Sequence, residues 1–306
     1  MAPQEREEPH SPTISYKVRR AIVPYLYQAP TIILLAMLML VPIISVVRFS
    51  FLDNVIMTKH SVFVGIKNYI TVLSDETFRT AVANTLYFTV MSVIFHLIIG
   101  LNFALLLNSR VINPIIRSVL RMLYLMPWVF TATIIAIIWR LLLDPSGVIN
   151  YALHSLGISK TDIQWFSDPS VALQAVTFVN IWAGYPFYMV SLLAGLQGIP
   201  IELYEAATID GANESQKFWN ITIPQLSPII ISIAMLDFIW TMQVFPLIWM
   251  TTGGGPIHAT EVLGTYTYKL AFSSLKFSLA STSAVIILIL SMSLALFYVR
   301  HQRARD

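Results

Sequence analysis

The sequence predicts an all-α integral membrane protein with six transmembrane helices, and three observations support this fold class. First, 56% of the 306 residues are hydrophobic and only 11% are charged, with a mean hydropathy of +0.70, whereas soluble domains carry about 25% charged residues. Second, the apolar residues fall into six runs of about 20 residues, the length that crosses a hydrocarbon core about 30 Å thick. Third, lysine and arginine are distributed unevenly between the segments that connect these runs.

Each apolar run is expected to form one helix, because the hydrocarbon core offers the backbone no other hydrogen-bond partners. A polar tail over residues 1–24 precedes the runs and has no pattern of a cleaved signal peptide. A short polar tail over residues 301–306 follows them, so that a single membrane domain is predicted over 25–300. The predicted spans cover residues 25–50, 82–107, 118–143, 171–195, 227–250 and 280–299.

The positive charges predict the orientation of the chain. Eleven lysines and arginines fall in the two tails, the 108–121 turn and the 196–226 loop, against seven in the alternate segments. Cytoplasmic loops of membrane proteins carry the excess of these residues. Both termini and the 196–226 loop are therefore predicted to lie in the cytoplasm of a multi-pass protein of the plasma or inner membrane.

The composition also argues against several kinds of site. There is no cysteine, which excludes disulfides, a thiol nucleophile and thiolate metal ligands, and a net charge of +3 is too small to indicate nucleic-acid binding. The histidines are scattered along the sequence. His96, inside the second span, is interpreted as a core residue whose hydrogen bonds are satisfied. The run "TTGGGP" lacks the lysine and following helix of a phosphate loop, so no nucleotide-binding motif, catalytic residue or bound cofactor is predicted.

One polar stretch over 200–224 stands between the fourth and fifth apolar runs. Pro200 suits the first turn of a helix, and Gly211 interrupts that helix. Asn213 is a candidate N-cap of a second short helix that ends near Trp219. The pattern predicts a helix-turn-helix on the cytoplasmic surface, and by periodicity alone it could be a simple interfacial connector.

The particular residues of this stretch resemble the EAA loop of ABC importer permeases. That loop reads E-A-A, three residues, G, nine residues and I-x-L-P, and this chain differs only in having Ile223 in place of the leucine. The resemblance implies the type I ABC importer permease fold, in which the loop forms coupling helices that dock on a separate ATP-hydrolysing subunit. The residues expected to make or shape that contact are Glu205, Ala206, Ala207, Asp210, Gly211, Phe218 and Pro224.

The resemblance extends over about residues 25–300 and is greatest to the maltose-F-like branch of sugar permeases. It rests on "EAATIDGA", on the segment 63–90 before and within the second span, and on "WMTTGGGPIHATEVLGTYTYKLAF" over 249–272. It implies a sugar importer that works by alternating access. The implied partners are a second permease subunit, two copies of a cytoplasmic ABC ATPase that bind ATP and magnesium, and an extracytoplasmic solute-binding protein.

Polar residues inside spans are costly and mark functional sites. Asp237 is the one acid well inside a predicted span, and Asn180 is predicted at the same depth on the preceding span. Sugar-binding positions carried over from the resemblance fall on the same two helix faces. The predicted substrate contacts are Asn180, Gly184 and Phe187 on span four, and Asp237, Trp240, Thr241 and Val244 on span five.

Two kinds of alternative remain open from the sequence. Asp237 and Asn180 could instead make hydrogen bonds between helices. The same architecture could carry a different solute, either a polyamine, which Asp237 would suit, or another polar solute such as glycerol phosphate. The chain could also be an ion-coupled secondary transporter that uses Asp237 as its titrating group. Proline residues at 127, 186 and 246 are expected to kink their helices, with Gly184-Tyr185-Pro186 as the most flexible point.

Overall fold

A computed structural model of the chain describes residues 14–53, 55–56, 61–109 and 111–303. Residues 1–13 and 304–306 of the two predicted tails lie outside the described residues. Five described helices are long and apolar enough to cross a membrane, and a sharply bent pair of helices provides a sixth crossing if it is counted as one span. These segments are Val23–Ser50, Glu76–Asn108, Pro114–Val129 with Ala132–Leu142, Ala172–Gln197, Glu214–Met242 and Phe277–Arg300.

The first and last spanning helices lie side by side. Helix α1 (Ile14–Ser50) begins inside the predicted tail and ends where the Ser50 carbonyl accepts a hydrogen bond from Thr282 of the last helix. Two short antiparallel strands, β1 (Leu52–Asp53) and β2 (Val62–Phe63), follow α1. Most of the apolar surface of α1 is exposed in the isolated chain.

The core of the bundle is the contact between α3 (Glu76–Asn108), which follows the short α2 (Lys67–Ser74), and α7 (Ala172–Gln197). Gly100 permits this contact, since a Cβ there would lie 2.4 Å from the Cβ of Tyr188 and 2.9 Å from the backbone nitrogen of Met189. Tyr188 and Met189 are fully buried against residues of α3 and of the fifth spanning helix. Small residues at membrane helix contacts allow this close backbone approach.

The third predicted span, 118–143, is not one straight helix. It consists of α4 (Pro114–Val129) and α5 (Ala132–Leu142), whose axes differ by 100°. The break falls at Phe130 and Thr131, whose backbones are extended, and the Thr131 hydroxyl accepts a hydrogen bond from the first turn of α5. Pro127 lies in the last turn of α4, where its missing N–H already weakens the helix.

The fifth predicted span, 227–250, is wrong at both ends. The spanning helix α10 (Ile223–Met242) continues without interruption from α9 (Glu214–Lys217) through a π-helical turn at Phe218–Thr222. It stops at Met242, and a new helix, α11 (Pro246–Thr251), begins at the proline. By contrast, α7 stays helical through Gly184-Tyr185-Pro186, where the sequence predicted the most flexible point.

The remaining helices are short apart from the last one. They are α6 (Val148–Ser155), α8 (Ile201–Ile209), α12 (Leu263–Tyr268) with a π-helical turn at Lys269–Ser273, and α13 (Phe277–Arg303). Helix α13 extends three residues into the predicted C-terminal tail.

The loop between α11 and α12 is held by one amide side chain of α3. The Asn84 amide donates to the carbonyls of His258, Ala259 and Glu261 at 3.0–3.2 Å. Beneath this loop, the Glu261 carboxylate is buried and pairs with Lys269. These contacts fix an irregular segment whose backbone groups have no helix or sheet to pair with.

We expect Asn84→Ala to loosen this loop without unfolding the bundle. Three carbonyls would lose their hydrogen-bond donor. The loss should cost about 1–3 kcal/mol of free energy for the carbonyls that are buried. Backbone amides of 252–262 should then exchange with deuterium at least tenfold faster in the purified protein. Asn102→Ala is the matched control, because the Asn102 amide donates only within its own helix. Equal exchange in both variants would contradict the anchoring role.

Candidate functional site

A cluster of hydrogen-bonded side chains lies between α3, α7 and α10, and Asp237 is at its centre. Asp237 is only 8% exposed. Its Oδ2 accepts from the Tyr188 hydroxyl at 3.0 Å and lies 2.8 Å from Nδ1 of His96, while its Oδ1 accepts from the Thr241 hydroxyl at 2.9 Å. A buried carboxylate with this many partners is well accommodated inside a span.

His96 joins the three helices of this cluster. Its Nδ1 faces Asp237 of α10, and its Nε2 lies 3.0 Å from the backbone carbonyl of Asn180 in α7. The Asn180 amide in turn donates to the Ser92 hydroxyl of α3 at 2.9 Å. Asn180 and Asp237 therefore lie at the same depth, as the sequence predicts, with the imidazole ring between them.

Gly184 contacts this ring directly. A Cβ at Gly184 would lie 2.3 Å from Cε1 and Nε2 of His96, so only glycine leaves room for the imidazole. The sequence placed Gly184 on a substrate-facing surface because of its spacing from Asn180. In the structure, the space beside Gly184 is filled by a side chain of α3.

Aromatic rings form a second, more exposed group beside the polar cluster. The ring of Phe187 lies 5.7 Å from that of Trp240 and 6.3 Å from that of Trp128, between centroids. Trp240 is 57% exposed, and it follows Asp237 by three residues on α10. Phe187 and Trp240 thus share one surface, while Asp237 and Thr241 point into the bundle.

Val244 does not belong to either group. The sequence placed it on the same helical face as Asp237, which requires α10 to continue past residue 244. The helix ends at Met242, and Val244 packs instead against an apolar cluster formed mainly by α5, α7 and α11. Sharing one helix face with Asp237 is therefore ruled out for this residue.

Sequence reasoning missed His96, Tyr188, Ser92 and Trp128 as members of these groups. His96 was expected to be a core residue whose hydrogen bonds are satisfied. They are satisfied, but one of the partners is the Asp237 carboxylate at the centre of the site. A histidine and an acid in separate spans were the available signal. Only the relative depth of those two spans, which the sequence gives poorly, could have paired them.

The polar stretch after α7 forms an exposed, well-capped corner. Helix α8 ends at Asp210, and Gly211 then adopts φ +80°, a conformation that suits glycine. The Asn213 side chain accepts from the backbone of Gln216, and the Gln216 side chain accepts from the backbone of Asn213, which is a complete capping box. The turn and the N-cap are therefore as the sequence predicts.

The second helix of this corner differs from the prediction. It was expected to be a separate element that ends near Trp219, but it merges through the π-helical turn with α10. The Tyr204 hydroxyl bonds the Thr222 hydroxyl at 2.9 Å and ties α8 to that turn. Pro224 is the second residue of α10, directly after the π-helical turn and inside the continuous Glu214–Met242 helix.

The surface of this corner is open to solvent in the isolated chain. Glu205, Ala206, Asp210 and Gly211 are exposed, Ala207 is half-buried, and Ile209 is 87% exposed. Phe218 is half-buried and its ring lies 5.0 Å from that of the exposed Trp219. An exposed isoleucine and tryptophan beside small residues form a surface that suits a protein partner.

Comparison with known proteins identifies the chain. A profile of the family described as the binding-protein-dependent transport system inner membrane component matches residues 96–305. The chain belongs to this family. It is therefore a membrane permease with several spanning helices, and the resemblance seen in the sequence is confirmed.

Several characterised or named relatives are similar over most of the chain. It is 34% identical over 294 residues to the trehalose/maltose transport system permease protein MalF of Thermococcus litoralis, covering 96% of this chain and 98% of the relative. It is 32% identical over 287 residues to the sulfoquinovosyl glycerol transport system permease protein SmoG of Agrobacterium fabrum, covering 93% of this chain and 92% of the relative. A crystal structure of a bacterial ABC transporter that imports alginate has the same fold, with a TM-score of 0.81 and 24% identity over 94% of this chain and 97% of that one.

Proposed function

We propose that this chain is the transmembrane permease subunit of an ATP-driven, binding-protein-dependent sugar importer. One observation carries the proposal: the exposed EAA-like corner is continuous, through one uninterrupted helix, with the residues of the polar and aromatic site. Asp237 lies 23 residues after Glu214 on that helix, which is about 35 Å at 1.5 Å per residue. Family membership and the sugar-permease names of several relatives support the same reading.

The corner would couple the permease to a cytoplasmic ATPase. Glu205 and Asp210 offer charges, Ala206 and Ala207 permit close approach, and Gly211 provides the turn between the two helices. Phe218 would brace the second helix, and Pro224 would lie where that helix passes into α10. Closure of two ATPase subunits on ATP and magnesium would push this corner, and α10 would carry the movement into the bundle. This chain itself would bind no cofactor and hydrolyse no ATP.

The sugar path would pass the aromatic group. Phe187 and Trp240 offer ring faces on which a sugar can stack, and the half-buried Asn180 offers an amide beside them. Asp237 and Thr241 point into the bundle and would hold the helices that carry Phe187 and Trp240 in position. Their side chains would contact a solute hydroxyl only after the helices rearrange. Gly184 would act by admitting His96, and Val244 would support the outer end of the path.

The assembly and its orientation belong to the same proposal. The exposed apolar surface of α1 suits a second permease subunit, most simply a different chain, together with membrane lipid. Both termini and the coupling corner would face the cytoplasm, and a solute-binding protein would dock on the opposite face. The functional parts would be a tail over 1–24, a permease domain over 25–300 with the coupling loop at 200–224, and a tail over 301–306.

The test is the ATPase activity of the complex purified with the products of neighbouring genes, in nanodiscs with its binding protein. The panel contains maltose, trehalose, spermidine and glycerol 3-phosphate. We expect a sugar to raise the ATPase rate and the two charged solutes to leave it unchanged. Stimulation by spermidine or glycerol 3-phosphate alone would replace the sugar assignment by one of the other solutes.

A further inference from the structure

The hydrogen bonds around His96 determine where its protons are. The Asn180 carbonyl can only accept, so the Nε2 atom that faces it at 3.0 Å must carry a hydrogen. Nδ1 lies 2.8 Å from Oδ2 of Asp237, a distance that two lone pairs facing each other would not tolerate. One further proton therefore lies between Nδ1 and Oδ2.

This second proton makes the His96–Asp237 pair electrically neutral. The hydroxyls of Tyr188 and Thr241 donate to the two oxygens of Asp237. With these donors on its two oxygens, the carboxylate acts as the acceptor of the bond to His96, and Nδ1 acts as the donor. The positive ring and the negative carboxylate then cancel, and every donor and acceptor between them is used.

No other formal charge lies near this pair in the described helices that surround it. Helix α7 contains no Asp, Glu, His, Lys or Arg, and α10 contains only Asp237. In α3 the other charged residues, Glu76 and Arg79, lie in the first turn, about 25–30 Å from His96 at 1.5 Å per residue. Tyr188 of α7 is the remaining titratable group that faces the pair. The charge of the site therefore depends on whether His96 neutralises Asp237.

We propose that His96 is a specificity-determining residue that masks the charge of Asp237 and so keeps the site from attracting cationic solutes. The inference rests on the proposed transport function. An unmasked carboxylate at mid-span would draw a polyamine or an amino sugar, whereas a neutral, saturated cluster beside exposed aromatic rings favours an uncharged polyhydroxylated solute. Gly184 contributes to this masking, because the absence of a side chain there leaves room for the His96 imidazole.

The decisive variant is His96→Asn. The asparagine amide nitrogen occupies nearly the place of Nδ1 and can still donate to Asp237, but it brings no charge. The carboxylate keeps three hydrogen-bond donors, so the variant separates the charge of His96 from its hydrogen bond. Asp237→Asn and the double variant His96→Asn/Asp237→Asn are the controls, since neither leaves a carboxylate in the site.

The functional readout is trehalose uptake by complex-containing proteoliposomes, with and without millimolar spermidine outside. We expect wild type, Asp237→Asn and the double variant to be insensitive to spermidine. Uptake by His96→Asn should fall about tenfold when spermidine is added. Equal insensitivity of a correctly assembled His96→Asn complex, or sensitivity of the wild type, would overturn the proposal.

A second readout does not depend on transport. In nitrogen-15 histidine spectra of the complex at pH 7.5, the His96 signal, assigned by its loss in His96→Asn, should be that of a ring protonated on both nitrogens. In Asp237→Asn it should become that of a neutral ring. A neutral ring in the wild type would refute the masking. If no sugar drives uptake, the proposed function fails, whereas this spectrum still decides the state of His96.

Discussion

Replacing Asp237 by alanine is expected to cause the largest loss of stability of any single change in the polar site. The substitution removes the counterion of His96, so that the ring must give up its second proton, and it leaves the hydroxyls of Tyr188 and Thr241 without their acceptor. Removing one partner of a buried pair costs about 3–5 kcal/mol, because the other partner is left unpaired or must change its protonation state away from water. A single lost interhelical hydrogen bond in a membrane costs only about 0.6 kcal/mol on average, so the loss of the His96–Asp237 pair dominates.

The measurement is the fraction of monodisperse protein after heating, for the wild type, Asp237→Ala and the double variant His96→Leu/Asp237→Leu. The double variant removes both charges and should recover much of the lost stability, because apolar residues can replace a buried pair at little cost. If Asp237→Ala were as stable as the wild type, the charged pair inferred from the hydrogen bonds would not exist.

Replacing Gly100 by alanine is the second change with a large expected effect. The added Cβ would meet the Cβ of Tyr188 and the backbone nitrogen of Met189, neither of which can rotate away. Alanine is favoured over glycine inside a helix by up to about 1 kcal/mol. Separating α3 from α7 would outweigh this gain, since overpacking a tight core costs about 1–3 kcal/mol and here opens the longest contact of the bundle.

Gly198→Ala is the matched control. Its added Cβ would lie 3.4 Å from the nearest atom, at the end of α7, where the backbone does not need glycine. We expect Gly198→Ala to be purified at wild-type yield and to melt within a few degrees of the wild type, while Gly100→Ala melts earlier and aggregates. Similar melting of both variants would mean that α3 and α7 do not pack as closely as described.

The coupling corner could be predicted from the sequence because its signals are local. The glycine at 211 and the N-cap at Asn213 each act on their own neighbours, and the structure has both in place. The spanning segments were found for a similar reason, since a helix in lipid needs a run of apolar residues of a certain length.

The bends inside those segments were not predictable from hydropathy. The breaks at Thr131 and at Gln243 fall within continuous apolar runs. Hydropathy measures how apolar a residue is and carries no information about the direction of its helix. Proline gave an ambiguous signal. Pro246 begins a new helix, whereas Pro186 is accommodated within α7, and the difference depends on the neighbouring helices.

The pairing of His96 with Asp237 is a tertiary fact of the same kind. The two residues are 141 positions apart, and the bond requires α3, α7 and α10 to pack at one depth with a glycine at 184. The sequence indicated a polar site on α7 and α10. It could not indicate that a third helix supplies the partner, or that this partner fills the space assigned to the solute.

The most direct test of the account is sugar uptake by proteoliposomes that contain the permease complex, with ATP inside and binding protein outside. We expect uptake to require ATP, to be lost in Glu205→Lys, and to persist in Glu202→Lys, a matched charge reversal at another exposed glutamate of α8. Uptake that follows a proton gradient without the ATPase, or that survives Glu205→Lys unchanged, would contradict coupling through this corner.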